Sequence, residues 1–281
     1  GAMRIVITGA SGKAGQATLR HFVDTSHDIV ATDVAGRPAW HTGRFYRADL
    51  TQFGEAMDVL AGADAVIHLA NIPADWIHTD SHTLNANMAM NNNVFLAAWK
   101  LGLKRVVYAS SETTLGLPFD EVRYVPVDED HYPLPNSTYS LSKVMTETMA
   151  EQVSRWAGIP FIGLRLSNIF TVEDYAQQPS FAKDPEARRW NLFGYIDARD
   201  VAQSCEDALT ASLSGSHAFV IAADDIILDM PTREALAAIH PGLEVPESVG
   251  EFGTLLSNRA AKEQMGFAPK HSWRDEVPAN H

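Results

Sequence analysis

Tyr139 and Lys143 stand four residues apart in Tyr139-Ser140-Leu141-Ser142-Lys143. On a helix that spacing puts both side chains on one face. A phenol with a pKa near ~10 is a poor base at neutral pH. A neighbouring ammonium stabilises the phenolate, so the pair could exchange a proton with a carbinol. Tyr108-Ala109-Ser110-Ser111-Glu112-Thr113-Thr114 ends an apolar run and offers a hydroxyl to a substrate oxygen. Ser and Thr after a strand are also ordinary turn chemistry.

A third cluster, Thr8-Gly9-Ala10-Ser11-Gly12-Lys13-Ala14-Gly15, lies between an apolar run and a helical pattern. Glycines there allow a tight turn and let backbone N–H groups approach a diphosphate at a helix N-terminus. Asp33 follows 18 residues after Gly15, closing the next apolar run. A carboxylate at that place accepts from a ribose 2′-hydroxyl and repels a 2′-phosphate. NAD is therefore favoured. Lys13 and Arg37 could each reach a phosphate, which leaves NADP open.

These groups need a scaffold of alternating strands and helices. Strands are expected at 4–8, 28–33, 45–48, 65–70, 105–110, 161–166 and 218–222. Helices are expected at 15–25, 52–61, 84–101, 139–157, 232–239 and 257–265, the last capped by Ser257 or Asn258. The polar stretch 173–191 reads as an ordered loop or lid. The right-handed crossover rule then gives a Rossmann-type, doubly wound parallel sheet with helices on both faces. Residues 3–166 form the expected NAD-binding domain, and 167–281 a smaller substrate-binding part from which about 195–222 returns to the core.

The chain has 281 residues and a net charge of −13. That balance argues against a nucleic-acid or anionic-membrane partner. Cys205 is the sole cysteine, so no internal disulfide framework is possible. The 11 histidines form no H-x-H or H-E-x-x-H pattern, and no metal site is expected. Gly1-Ala2 reads as an expression scar before Met3, and no signal peptide is visible, so a cytoplasmic protein is expected. His68, inside an apolar strand, reads as a packed core histidine. Asp49 reads either as a helix cap or as an adenine neighbour.

Taken together, order and spacing resemble the short-chain dehydrogenase/reductase superfamily, in its extended NAD-dependent epimerase/dehydratase branch. TGASGKAG is similar to that branch's T-G-x-x-G-x-x-G, and HLAN to H-L-A-A. Asn87 with Asn91 to Asn93, YASSETTLG, LRLSNIF, YIDARDVAQ and SNRAAKEQMGFAPKHSW resemble further motifs along nearly the whole chain. The resemblance implies Tyr139 as acid/base, Lys143 on the nicotinamide ribose and Ser111 on the reacting oxygen. It implies that Gly9, Ser11, Gly12, Lys13, Ala14, Gly15 and Asp33 hold NAD. Asp49 and Leu50 would flank adenine. Ala70, Asn71, Asn87 and Asn168 would lie along the cofactor, while Asp200 would be structural.

Departures from the pattern narrow the chemistry. Dehydratases of the branch carry an Asp-Glu pair after the catalytic hydroxyl, whereas Glu112-Thr113 stands here. The 113 residues after Asn168 are few for a nucleotide-diphosphate site and suit a compact, sugar-like substrate. Glu112, Thr113, Trp76, Arg188 and Trp190 are candidate substrate contacts. Arginine forks suit carboxylates and phosphates alike. Three functions follow in order: an NAD-dependent dehydrogenase of a sugar, sugar acid or related alcohol; a nucleotide-sugar epimerase that retains its NAD; and a dinucleotide sensor without catalysis. A homodimer through the two long helices is expected, with Val94, Ala98, Met145, Met149 and Val153 on their apolar faces.

Overall fold

The computed structural model describes residues 1–116 and 121–278, so 279–281 of the expected second part lie outside it. Seven parallel strands form the main sheet in the order β3-β2-β1-β4-β5-β6-β9. They are β1 (Arg4–Thr8), β2 (Asp28–Asp33), β3 (Arg44–Arg47), β4 (Ala65–His68), β5 (Arg105–Ser111), β6 (Phe161–Leu166) and β9 (Ser216–Ile221). The short pair β7 (Ile169–Phe170) and β8 (Ile196–Asp197) stands beside it.

Alternation in the strands divides the core. Ile5 and Ile7 of β1 pack on one face with Leu19, Phe22, Val201 and Cys205. These come from α1 (Lys13–Val23) and α6 (Ala198–Thr210). Val6 points to the other face, against Val59, Val94, Phe95, Ala150 and Val153. These come from α2 (Phe53–Leu60), α3 (Asp80–Leu101) and α4 (Thr138–Ala157). Val94, Ala98 and Val153 are thus core residues of the single chain, not a free face. On α4 the exposed apolar side chains are Leu141, Met145 and Trp156.

A third cluster joins Leu115, Phe170, Tyr175, Phe193, Tyr195, Leu236 and Trp273. It takes in α5 (Gln178–Phe181) and α7 (Thr232–Ile239), with α9 (Trp273–Glu276); α8 (Arg259–Met265) packs instead against the α1/α6 side. The stretch read as a loop is largely helical, with 3-10 turns at Glu173–Gln177 and Glu186–Asn191 around α5. Such short turns are anchored by buried side chains rather than by a periodic stripe. Asn258 caps α8 without a side-chain bond, because its amide donates to Ala222 O and Asp224. Asp200 accepts from the Lys270 and His271 N–H groups, which fixes the C-terminal segment on α6. Among the described residues no helix is long and apolar enough to cross a membrane, and no three or more His, Cys, Asp or Glu side chains gather where they could hold a metal ion.

Candidate active site

The glycine turn is a cradle that side chains would fill. Gly9 has φ +65°, and a Cβ there would stand 2.6 Å from Ala70 N. A Cβ on Gly15 would collide with the Gly9 carbonyl oxygen. Gly12 caps α1 with no side-chain bond, which leaves the first helical amides to an anion. Asp33 is fixed beside them, Oδ2 accepting from Ser11 N at 3.0 Å and Oδ1 from Ala35 N at 2.9 Å. The two cations that left NADP open are committed elsewhere. Arg37 donates to Gly43 O, and Lys13 pairs with Asp174. The cradle therefore fits a dinucleotide with a free ribose 2′-hydroxyl.

The catalytic candidates converge at the carboxyl end of β5. Lys143 is 1% exposed, donates to Ala109 O at 3.2 Å, and places Nζ 5.5 Å from the Tyr139 ring centroid. Burial lowers the ammonium to about 8, against the raising effect of Glu147. Burial also pushes the Tyr139 hydroxyl up to about 12; a hydrogen bond from Ser111 lowers it, and the Glu112 and Asp75 carboxylates raise it. Thr113 donates to Ser111 Oγ from its N–H at 3.1 Å and its Oγ1 at 2.9 Å. Ser110 turns the other way and donates to Glu147 Oε2. Glu147 also takes a two-pronged bond from Arg165, at 3.0 and 2.7 Å. So Ser111, not Ser110, belongs to the Tyr139 group.

Glu112 forms a buried wall behind that group. It is 3% exposed and accepts from Ser167 Oγ at 2.6 Å and Asn191 Nδ2 at 3.1 Å. Burial raises its carboxyl to about 7, with the Ser167 and Asn191 bonds, the nearby Arg188 and the Asn168 N–H opposing. Arg188 donates to Asn168 Oδ1 at 2.7 Å and lies 5.0 Å from the ring centroids of Phe181 and Trp190. Its Nε is buried without a partner. Leu192 and Phe193, both buried with φ of 54° and 64°, turn the chain back toward β8. Left-handed backbone at bulky residues costs roughly 1 kcal/mol or more each, and the third cluster holds it in place.

Several expected contacts are redirected. The Asn87 amide is taken up by the backbone of Ile72, accepting from Ile72 N at 2.7 Å and donating to Ile72 O at 3.1 Å. It clamps the loop after β4. Leu50 is buried, so its side chain serves the core, while Asp49 accepts from Thr51 and caps no helix. Trp190 packs under Arg188 and is only partly buried, whereas Trp76 is 85% exposed. Ala14 and Asn71 are half-buried at the cleft. Ser167, Asn191, Glu147 and Asp174 escaped sequence reasoning.

His68 is a core residue in a polarised chain. Thr8 Oγ1 accepts from the Leu69 and Ala70 N–H groups, so its proton goes to His68 Nδ1 at 2.7 Å. His68 Nε2 then donates to Asn91 Oδ1 at 2.8 Å. Burial lowers the imidazole to about 4, which keeps this neutral tautomer. Asn91 Nδ2 donates to Thr146 Oγ1, which donates to Ser142 O.

Comparison with known proteins agrees with this frame. The chain is 27% identical over 198 residues to a 2-alkyl-3-oxoalkanoate reductase of Stenotrophomonas maltophilia, covering 68% of this chain and 58% of that one. It is 26% identical over 169 residues to a uronate dehydrogenase of Pseudomonas putida, covering 59% and 61%. The chain thus spans about three fifths of the length of these relatives. A short-chain dehydrogenase/reductase superfamily structure from Agrobacterium tumefaciens, solved with bound NAD, superposes with a TM-score of 0.76 at 20% identity, over 97% of this chain and 94% of that one. The family model described as NAD dependent epimerase/dehydratase family matches residues 5–184. The chain belongs to that family, whose cofactor is NAD.

Proposed function

We propose that this enzyme is an NAD-dependent dehydrogenase of a sugar acid or a closely related secondary alcohol. One observation carries the reading: the Lys143 ammonium stands 5.5 Å from the Tyr139 ring centroid, and the Ser111 hydroxyl lies near enough to lower that tyrosine's pKa. Tyr139 takes the hydroxyl proton as the alcohol becomes a carbonyl. Ser111 holds the same oxygen, and Lys143 stabilises the phenolate. Bound NAD supplies the hydride acceptor. The glycine turn and Asp33 hold its diphosphate and ribose, and Lys143 its nicotinamide ribose. Arg188, with its free buried Nε, supports an anionic group on the substrate. Trp76 and Thr113 complete the mouth of the site. A homodimer formed through Leu141, Met145 and Trp156 belongs to the same proposal, and sedimentation tests it.

The test is NADH formation with a panel of uronic, aldonic and neutral sugars, with and without Tyr139→Phe. One acid should give steady NADH, and the variant should lose about 10²- to 10⁴-fold in turnover while still binding NAD. Conversion of a nucleotide sugar without net NADH would replace this reading with epimerisation. NAD binding without any turnover across the panel would favour the sensor.

A further inference from the structure

One ion pair connects the cofactor cradle to a distant segment. Lys13, the first residue of α1, places Nζ 2.8 Å from Oδ2 of Asp174, 161 residues later in the 3-10 turn before α5. The same Oδ2 accepts from Thr171 N at 2.8 Å and Thr171 Oγ1 at 2.9 Å. The carboxylate is therefore aimed by its own turn, independently of the lysine. Burial would raise its pKa, but Lys13 and the Thr171 donors hold it below the ordinary range. Lys13 is 49% and Asp174 23% exposed, so the pair lies at the surface, beside the first amides of α1.

We propose that the Lys13–Asp174 pair is a strap across the entrance to the NAD cleft, and that Asp174 is the positioning residue that sets how long the cofactor stays bound. The uncapped amides of α1 receive the diphosphate. The Lys13 side chain leaves from those same residues and crosses to Asp174. NAD then enters and leaves only while the pair is open. A closed strap slows both processes together and leaves the equilibrium nearly unchanged. The inference needs the family's cofactor alone and does not depend on the substrate reading above. A simple charge effect has the opposite signature, because removing a carboxylate near a diphosphate should tighten binding and slow release.

Stopped-flow NADH fluorescence on the full chain distinguishes them, using wild type, Asp174→Asn, Lys13→Met and the double variant. Asp174→Asn should speed association and release alike by about fivefold, the scale of one partly exposed ion pair. Lys13→Met should release NADH as fast, and the double variant no faster than the quicker single variant. Salt should accelerate release from wild type and not from Asp174→Asn. Thr171→Val keeps both charges but removes one anchor of the carboxylate, and should show a smaller acceleration. Melting curves establish that each variant is folded. Release from Asp174→Asn that is unchanged or slower, or additive effects in the double variant, would overturn the strap.

Discussion

Thr113 gives Ser111 Oγ two donors, one from its backbone and one from its side chain. A hydroxyl oxygen that accepts twice keeps one proton of its own to direct. That hydroxyl lies beside Tyr139 and lowers the tyrosine pKa. Thr113 therefore orients the Ser111 hydroxyl toward the candidate acid/base. Thr113→Val should lower kcat by about fivefold, the worth of one oriented hydrogen bond, without changing NAD affinity. Steady-state kinetics beside an NAD titration checks this, and an unchanged kcat would deny Thr113 that role.

Glu147 raises the pKa of Lys143 against the lowering effect of burial. Its other partners are Arg165 on β6 and Ser110 on β5, and it acts on Tyr108 of β5; Glu151 acts on the same Tyr108, and Glu129 on Arg165. Glu147→Gln removes the raising effect, so Lys143 should lose its charge below about 8. The alkaline loss of activity should move to lower pH. Arg165 also loses its partner, at a cost of roughly 3–5 kcal/mol in stability. A pH–rate profile that did not move would separate Glu147 from Lys143.

Glu112 titrates near 7 in the fold, against 4.5 ordinarily. Between those values the folded chain holds a proton that the unfolded chain has released. Stability should therefore fall as pH rises from about 4.5 to 7, at up to ~1.4 kcal/mol per unit, and level off above. Glu112→Gln should abolish that slope. Asn191 Oδ1 is buried without a partner, so a flipped Asn191 amide could accept from the new side chain. Denaturant melts of both proteins at pH 5 and 8 measure the difference, and identical slopes would assign the titration elsewhere.

Gly15→Ala places a methyl group on the Gly9 carbonyl oxygen. Either α1 withdraws from β1 or the turn opens, and both displace the amides that face the cofactor. NAD affinity should fall by at least about tenfold, beyond what the strain costs in stability. Isothermal titration with NAD reads the first quantity, and retained affinity would show that the turn tolerates the shift.

The scaffold was legible because buried parallel strands read as short apolar runs separated by turn residues. Ile5 to Ile7 and Ala65 to Ile67 are such runs, and the glycine turn stands where the first one ends. Cross-chain partnerships left no local trace. Ser167 and Asn191 meet Glu112 from 55 and 79 residues away, and nothing in their own surroundings marks them as its donors. An amide near a cofactor helix suits binding and clamping equally, so the Ile72 clamp of Asn87 was not legible. Its four-residue spacing from Asn91 was the available signal, since both face the strand ends from one side of α3. The segment 173–191 escaped because a single 3-10 turn is too short to show a period.

The chain from Thr8 through His68, Asn91 and Thr146 to Ser142 also works as a yardstick. It begins one residue before the cofactor turn and ends one residue before Lys143. Every proton along it points the same way, so no link can reverse without reversing the rest. The backbone beneath the glycine turn and beneath the candidate Tyr139–Lys143 pair is therefore gauged through the protein interior, before any ligand arrives.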